Sequence, residues 1–129
     1  MLSMVDGEQK LVMVVDDEQD NIDTVTAILE KLGVETVSAS SGGDCLSKVK
    51  AMKKKPDLIL LDIMMPGTPV KKVVPKLKPI KVAYLSVVNP FEARQEGLLA
   101  FDNIVDFIRK PFDTFDLEKK LFFFVLAWQ

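Results

Sequence analysis

The sequence predicts an α/β fold in which a doubly wound, five-stranded parallel sheet is covered by helices on both faces. Short apolar runs rich in β-branched residues alternate with segments whose apolar residues recur at spacings of three and four. The links between them are short, and parallel strands need right-handed crossover connections of this kind. We therefore expect one three-layer α/β/α domain over residues 10–129, preceded by a flexible lead of residues 1–9.

The first two strand and helix pairs follow this pattern regularly. The apolar run LVMVV predicts a strand buried on both faces, and Gly33 stands where the helix after it would end. The expected elements are a strand at about 10–15, a helix from Asp20 to Leu32, a strand at Val34–Ala39 and a helix at Gly43–Met52.

The third strand, Asp57–Asp62, is the clearest, because its apolar run ends abruptly in a carboxylate. A weaker helix at Val70–Leu77 contains Pro75, which should kink or shorten it. Thr114 is a candidate N-cap for the last helix. The remaining expected elements are a strand at Ile80–Leu85, a helix at Pro90–Leu99, a strand at Ile104–Ile108 and a helix at Thr114–Trp128.

Composition indicates an ordinary globular domain, with 48% hydrophobic and 28% charged residues in a chain of 129. Cys45 is the single cysteine and cannot pair within the chain, which favours a reducing compartment. The first residues lack a secretory pattern, and the longest apolar run is far short of the ~20 residues that cross a bilayer. We expect a cytoplasmic protein that neither enters nor spans a membrane.

The charge balance argues against nucleic acid as a direct partner. The chain has 17 basic and 19 acidic residues and a formal net charge of −2, and its lysines are expected to be scattered rather than striped along one face. It has no histidine, so imidazole cannot serve as a base, a metal ligand or a carrier of phosphate.

Polar residues follow four of the predicted strands. Asp16 and Asp17 follow the first strand, Asp62 ends the third, Ser86 follows the fourth and Lys110 follows the fifth. Ligands of open α/β sheets bind outside the carboxyl ends of the strands, where these side chains should converge. Crowded carboxylates repel one another unless a hard divalent cation lies between them, and Mg²⁺ fits such a set best.

These residues resemble the pattern of the receiver domains of response regulators, the CheY-like family of two-component signal transduction. The pattern is an acidic pair, a strand-end Asp followed by Met-Pro, a hydroxyl residue and Lys-Pro. It corresponds here to Asp16-Asp17, Asp62-Ile63-Met64-Met65-Pro66, Ser86 and Lys110-Pro111. The resemblance covers essentially the whole chain and implies the flavodoxin-like strand order 2-1-3-4-5.

The resemblance also implies a role for each site residue. Asp62 would be the phosphoacceptor, and Lys110 would bind a phosphoryl oxygen after a cis peptide bond to proline. Mg²⁺ would be held by Asp16, Asp17, Asp62 and the backbone carbonyl of Met64.

The resemblance implies a switch and its partners as well. Ser86 would be drawn toward phosphorylated Asp62, and Phe107 would fill the space left behind, which changes the face made by helix four, strand five and helix five. Phosphate would come from a sensor histidine kinase or phosphotransfer protein, and output would pass to a downstream protein or fused domain. The chain would be no enzyme beyond slow autodephosphorylation. Val87 departs from the small residue usual after the serine and would slow entry of small donors.

Alternative interpretations remain open. A pseudo-receiver would keep the fold as an interaction module without phosphoryl chemistry. A dehalogenase-like phosphatase would need a second Asp two residues after Asp62, where this chain has Met64, and a flavin site would need Ser, Thr or Gly after the first strand. Asp16 and Asp17 also suit the amino end of a helix.

The closing helix is apolar all round over Leu121–Trp128, although a helix on a sheet needs only one apolar face. The remaining apolar surface of this helix should be buried by a homodimer partner across helices four and five, then, in order of preference, by a further domain or by an unusually thick core.

Overall fold

A computed structural model describes residues 9–127 and contains a five-stranded parallel sheet in the order β2-β1-β3-β4-β5. The predicted fold class and strand order are confirmed. The predicted flexible lead lies almost wholly outside the described residues, as does Trp128. The strands are β1 Leu11–Val15, β2 Glu35–Ala39, β3 Leu58–Asp62, β4 Lys81–Ser86 and β5 Ile104–Arg109. The helices are α1 Gln19–Lys31, α2 Gly42–Ala51, α3 Val70–Leu77, α4 Pro90–Gln95 and α5 Thr114–Ala127.

Two glycines end helices in the same way. Gly33 has φ of +84° and ends α1 where the sequence predicted. Gly97 has φ of +77° and follows α4. The last residue of α4 is Gln95, four residues before the predicted limit at Leu99. The amide of Leu98 donates to the carbonyl of Ala93, and the amide of Gly97 donates to the carbonyl of Arg94. This pair of bonds satisfies the last free carbonyls of α4 and closes the helix.

Pro75 lies inside α3 and does not shorten it. The helix continues through Pro75 and ends two residues later at Leu77, so the predicted limits of this helix are confirmed. The N-cap expected at Thr114 is wrong. The carboxylate of Asp113 accepts the backbone N–H of Phe115 at 2.7 Å, and Asp113 therefore caps α5.

The core lies in two layers, one on each face of the sheet. Every residue of β1 and β3 is buried, as expected for central parallel strands with helices on both faces. Helices α1 and α5 cover one face, and α2, α3 and α4 cover the other. Among residues 9–127, no helix combines the length and the apolar character needed to cross a membrane.

Candidate functional site

Four of the predicted site residues meet at the carboxyl edge of the sheet. Asp16 directly follows β1, Asp62 is the last residue of β3, and Lys110 directly follows β5. One carboxylate oxygen from each of Asp16, Asp17 and Asp62 lies within 4.8 Å of the other two. The convergence expected from the strand ends is therefore present in the described structure.

Lys110 lies between two of these carboxylates. Its Nζ is 2.6 Å from Oδ2 of Asp16 and 3.3 Å from Oδ2 of Asp62, and its side chain is 10% exposed. Burial alone would lower the pKa of Lys110, but the hydrogen bonds and charges of the two carboxylates outweigh it and raise the pKa. The ammonium of Lys110 thus stays protonated, and its single positive charge faces the carboxylates of both Asp16 and Asp62.

Asp62 is held in a defined orientation by two donors. Its Oδ1 accepts the backbone N–H of Met64 at 2.9 Å, while Oδ2 faces Lys110. Burial raises the pKa of Asp62, although the Met64 amide and the lysine charge act against it. The side chain is 6% exposed, so few waters can stabilise its charge.

The two acids after β1 differ in environment. Asp16 is fully buried and accepts the backbone N–H of Glu18 at 3.0 Å. Asp17 is exposed and contributes its carboxylate from the solvent side. The N-cap of α1 is Glu18, without a side-chain capping hydrogen bond, so neither Asp16 nor Asp17 is the N-cap and that alternative interpretation is wrong.

The donor set fits a divalent metal ion. Three carboxylates share one small volume, and Lys110 supplies the single cation in hydrogen-bond contact with Asp16 and Asp62 among the described residues. Hard oxygen ligands of this kind suit Mg²⁺, which accepts a few carboxylates and keeps waters for phosphate. The group of Asp16, Asp17 and Asp62 is therefore a candidate site for one such ion.

Ser86 and Phe107 lie on β4 and β5, the two strands that follow β3 in the sheet. Ser86 is fully buried at the end of β4, where its Oγ accepts the backbone N–H of Val88 at 3.2 Å. Phe107 is half-buried on β5 and lies opposite Tyr84 of β4. The peptide bond between Lys110 and Pro111 is cis, as predicted.

Tyr84 is a residue of this region that sequence reasoning missed. It is fully buried, and its hydroxyl donates to the carbonyl of Leu98 at 2.7 Å. It is the single tyrosine of the chain and precedes Ser86 by two residues on β4, which places both on one face of the strand. That spacing was the available signal.

The sequence profile of the response regulator receiver domain matches residues 12–122. The chain therefore belongs to the family of response regulator receiver domains. A solved structure from Methanospirillum hungatei, a CheY-like response regulator receiver domain protein, matches with a TM-score of 0.73 and 34% identity. The match covers 93% of this chain and 98% of that chain.

Two curated relatives are longer proteins. The chain is 38% identical over 104 residues to the protein-glutamate methylesterase/protein-glutamine glutaminase of Archaeoglobus fulgidus, which covers 78% of this chain and 29% of that protein. It is 29% identical over 119 residues to the alkaline phosphatase synthesis transcriptional regulatory protein PhoP of Bacillus subtilis. That match covers 87% of this chain and 47% of that protein. The chain spans less than half the length of either relative, and the esterase name belongs to the whole relative.

Proposed function

We propose that the chain is a phosphorylation-controlled signalling switch in which Asp62 accepts a phosphoryl group in a Mg²⁺-dependent reaction. The observation that carries this proposal is the contact of Lys110 with both Asp16 and Asp62 inside a group of three carboxylates. Two buried carboxylates, Asp16 and Asp62, share the single ammonium of Lys110, which leaves one buried negative charge without a full counter-charge, at a cost of roughly several kcal/mol unless a cation binds.

The orientation of Asp62 suits it to act as a nucleophile. The Met64 amide binds Oδ1, and Lys110 faces Oδ2, so the carboxylate is fixed before a donor arrives. An oxygen of Asp62 would form a bond to phosphorus as the bond between phosphorus and the donor nitrogen breaks, which leaves an acyl phosphate. Lys110 would neutralise charge on the transferred group.

The metal would be held by Asp16, Asp17, Asp62 and the backbone carbonyl of Met64. When bound, Mg²⁺ supplies positive charge to the oxygens of the phosphoryl group during transfer. In the described structure, Oδ2 of Asp16 binds the ammonium of Lys110. The same carboxylate would also be a ligand of the bound metal.

Phosphorylation would add a charge of about −1.5 to −2 and three acceptor oxygens next to β4. The hydroxyl of Ser86 would then exchange the Val88 amide for a phosphoryl oxygen, and Phe107 would turn into the space behind it. This movement would change the surface of α4, β5 and α5, which is the proposed output face.

The phosphodonor would be a sensor histidine kinase or a phosphotransfer protein, since this chain contains no histidine of its own. The output would be a downstream protein or a fused domain, as suggested by relatives more than twice as long as the matched region. The chain itself would catalyse no reaction other than slow loss of its own phosphate, and it would act in the cytoplasm.

The test uses beryllofluoride, a phosphoryl mimic, with Mg²⁺ and the ¹⁵N-labelled chain. We expect amide resonances of Ser86 and Phe107 to shift in the wild type and to stay unchanged in Asp62→Asn. The matched control is Asp57→Asn, since Asp57 directly precedes β3 at its other end and should leave the response intact. If these resonances shift in none of the three proteins, the chain is instead a pseudo-receiver.

A further inference from the structure

The lysines of this chain are concentrated in one stretch of sequence. Residues 48–81 contain ten of its 17 basic residues and two of its 19 acidic residues. This stretch therefore carries an excess of positive charge, although the chain as a whole is slightly acidic. Such an asymmetry points to an acidic partner.

Several of these lysines surround a groove at the carboxyl ends of α2 and α3. The groove has a volume of about 530 Å³, which lies within the range of specific binding pockets. Its lining combines an apolar floor with a basic rim. The apolar floor that remains accessible is formed by Leu46, Pro79 and Ile80, over the buried core residues Val49 and Leu77, and the rim is formed by Lys50, Lys55, Lys76 and Lys78.

The charges of the rim are only partly compensated. Lys78 pairs with Asp102 at 3.0 Å, and the ammonium of Lys55 donates to backbone carbonyls at the end of α2. Within residues 9–127, Lys50 and Lys76 have no carboxylate within 4.0 Å, and no acidic residue lines the groove. Lysines do complement helix carboxyl ends, but that role does not account for an open apolar floor between them.

Two smaller depressions extend this surface around Pro79. One is lined by Lys55 and Lys81, and the other by Lys78 and Lys81. Each of these depressions also contains one acidic residue, Asp57 in the first and Asp102 in the second, so the surface without carboxylates is the groove itself. An elongated ligand could contact the rim over its length.

We propose that this groove docks an acidic, amphipathic peptide segment of a partner protein. Apolar side chains of that segment would bury the floor, and its carboxylates would face Lys50 and Lys76. Nucleic acid fits less well, because the lining has no aromatic ring for base stacking and no arginine for bidentate phosphate contacts.

This docking surface is separate from the site around Asp62. The groove lies at the amino edge of β3 and β4, whereas Asp62 ends β3 at the other edge. A strand of this length spans roughly 15 Å, so a bound segment would leave the phosphoacceptor open to its donor. Docking and phosphoryl transfer can therefore be tested independently.

The test measures fluorescence anisotropy of a labelled synthetic peptide of about ten residues, with glutamates on one helical face and leucine and phenylalanine on the other. We expect saturable binding that weakens with added salt and falls by about tenfold or more in Lys50→Glu/Lys76→Glu. The matched control is Lys71→Glu/Lys72→Glu, which makes the same charge change at exposed positions of α3 outside the groove. That variant should bind within about twofold of the wild type.

Three results would overturn the proposal. Equal losses in both double variants would mean attraction to overall charge alone. Undiminished binding of a peptide whose leucine and phenylalanine are replaced by serine would exclude a role for the apolar floor. Tighter binding of an oligothymidylate of equal charge would assign the surface to single-stranded nucleic acid. Circular dichroism of each variant checks that the domain is folded.

Discussion

The ring of Phe107 meets Tyr84 edge-on, with 6.0 Å between the ring centroids and 68° between the ring planes. The hydroxyl of Tyr84 in turn donates to the carbonyl of Leu98, in the segment that follows α4. A side chain of β5 is thereby connected through the core to the end of α4. Any rotation of Phe107 must change its contact with this tyrosine.

The first prediction concerns Tyr84→Phe, which keeps the ring and removes the hydroxyl. The buried carbonyl of Leu98 loses its donor, so we expect unfolding free energy in urea to fall by about 1–2 kcal/mol. With Mg²⁺ and beryllofluoride, the amide shift of Leu98 should shrink while that of Ser86 persists. An unchanged Leu98 shift would show that Tyr84 does not transmit the change.

The ends of α1 and α4 show which local features the sequence revealed. Gly33 and Gly97 close their helices with the same left-handed backbone, yet only the first was predicted as an end. The apolar pair Leu98-Leu99 continued the helical spacing past Gly97, and periodicity alone could not show that Leu98 packs into the core from a turn. Tertiary packing decided that boundary.

The site shows a similar division. The meeting of Asp16, Asp62 and Lys110 could be predicted, because parallel strands bring their carboxyl ends to one edge. It could not be predicted that Lys110 lies closer to Asp16 than to Asp62, since this depends on side-chain positions across three strands. The excess of lysines in residues 48–81 can be read from the sequence, but the groove cannot, since it forms only where the carboxyl ends of α2 and α3 pack beside each other.

The second prediction compares adjacent glycines at the start of α2. A Cβ on Gly42 would lie 2.8 Å from Cγ2 of Val73 and 3.2 Å from the carbonyl of Thr68. Gly42→Ala should therefore force α2 away from α3 and cost about 1–3 kcal/mol in urea unfolding.

Gly43→Ala is the matched control for that substitution. Its Cβ would meet only Oγ1 of Thr68, at 3.9 Å, and alanine favours a helix over glycine by up to about 1 kcal/mol. We expect this variant to be as stable as the wild type or slightly more stable. Equal destabilisation of the two variants would contradict close packing at Gly42.

The third prediction concerns the stability cost of the phosphoacceptor without metal. Burial raises the pKa of Asp62 above its ordinary value of 3.8, so the ionised carboxylate is less stable in the folded chain than in the unfolded one. Asp62→Asn should raise the melting temperature at neutral pH in the presence of a chelator. The gain is measured as the difference in melting temperature, in which each 1 kcal/mol corresponds to roughly 4 °C in a domain of this size.

The pH dependence of that gain has a definite sign. As pH rises from 3.8, the unfolded chain loses the Asp62 proton before the folded chain does, so the wild type loses stability relative to Asp62→Asn. The difference should be small near pH 4, grow as pH passes through the raised pKa, and stay constant above it. Calorimetry at several pH values measures it, and a gain largest in acid would contradict the raised pKa.

The fourth prediction concerns Val87, which directly follows Ser86 and leaves 57% of its surface exposed beside the site. We expect a branched side chain directly after Ser86 to hinder the approach of a small donor to Asp62. Val87→Ala should therefore raise the rate of phosphorylation by acetyl phosphate by about threefold, equivalent to ~0.7 kcal/mol of barrier. Stopped-flow or mass-spectrometric measurement of the phosphorylated fraction gives the rate.

Val105→Ala is the control for this rate, because Val105 is 46% exposed on β5 and lies outside the cluster of acids. Removing its methyl groups changes the apolar surface by a similar amount without opening a path to Asp62. An unchanged or slower rate in Val87→Ala, or the same increase in both variants, would mean that access past Val87 does not limit transfer from a small donor.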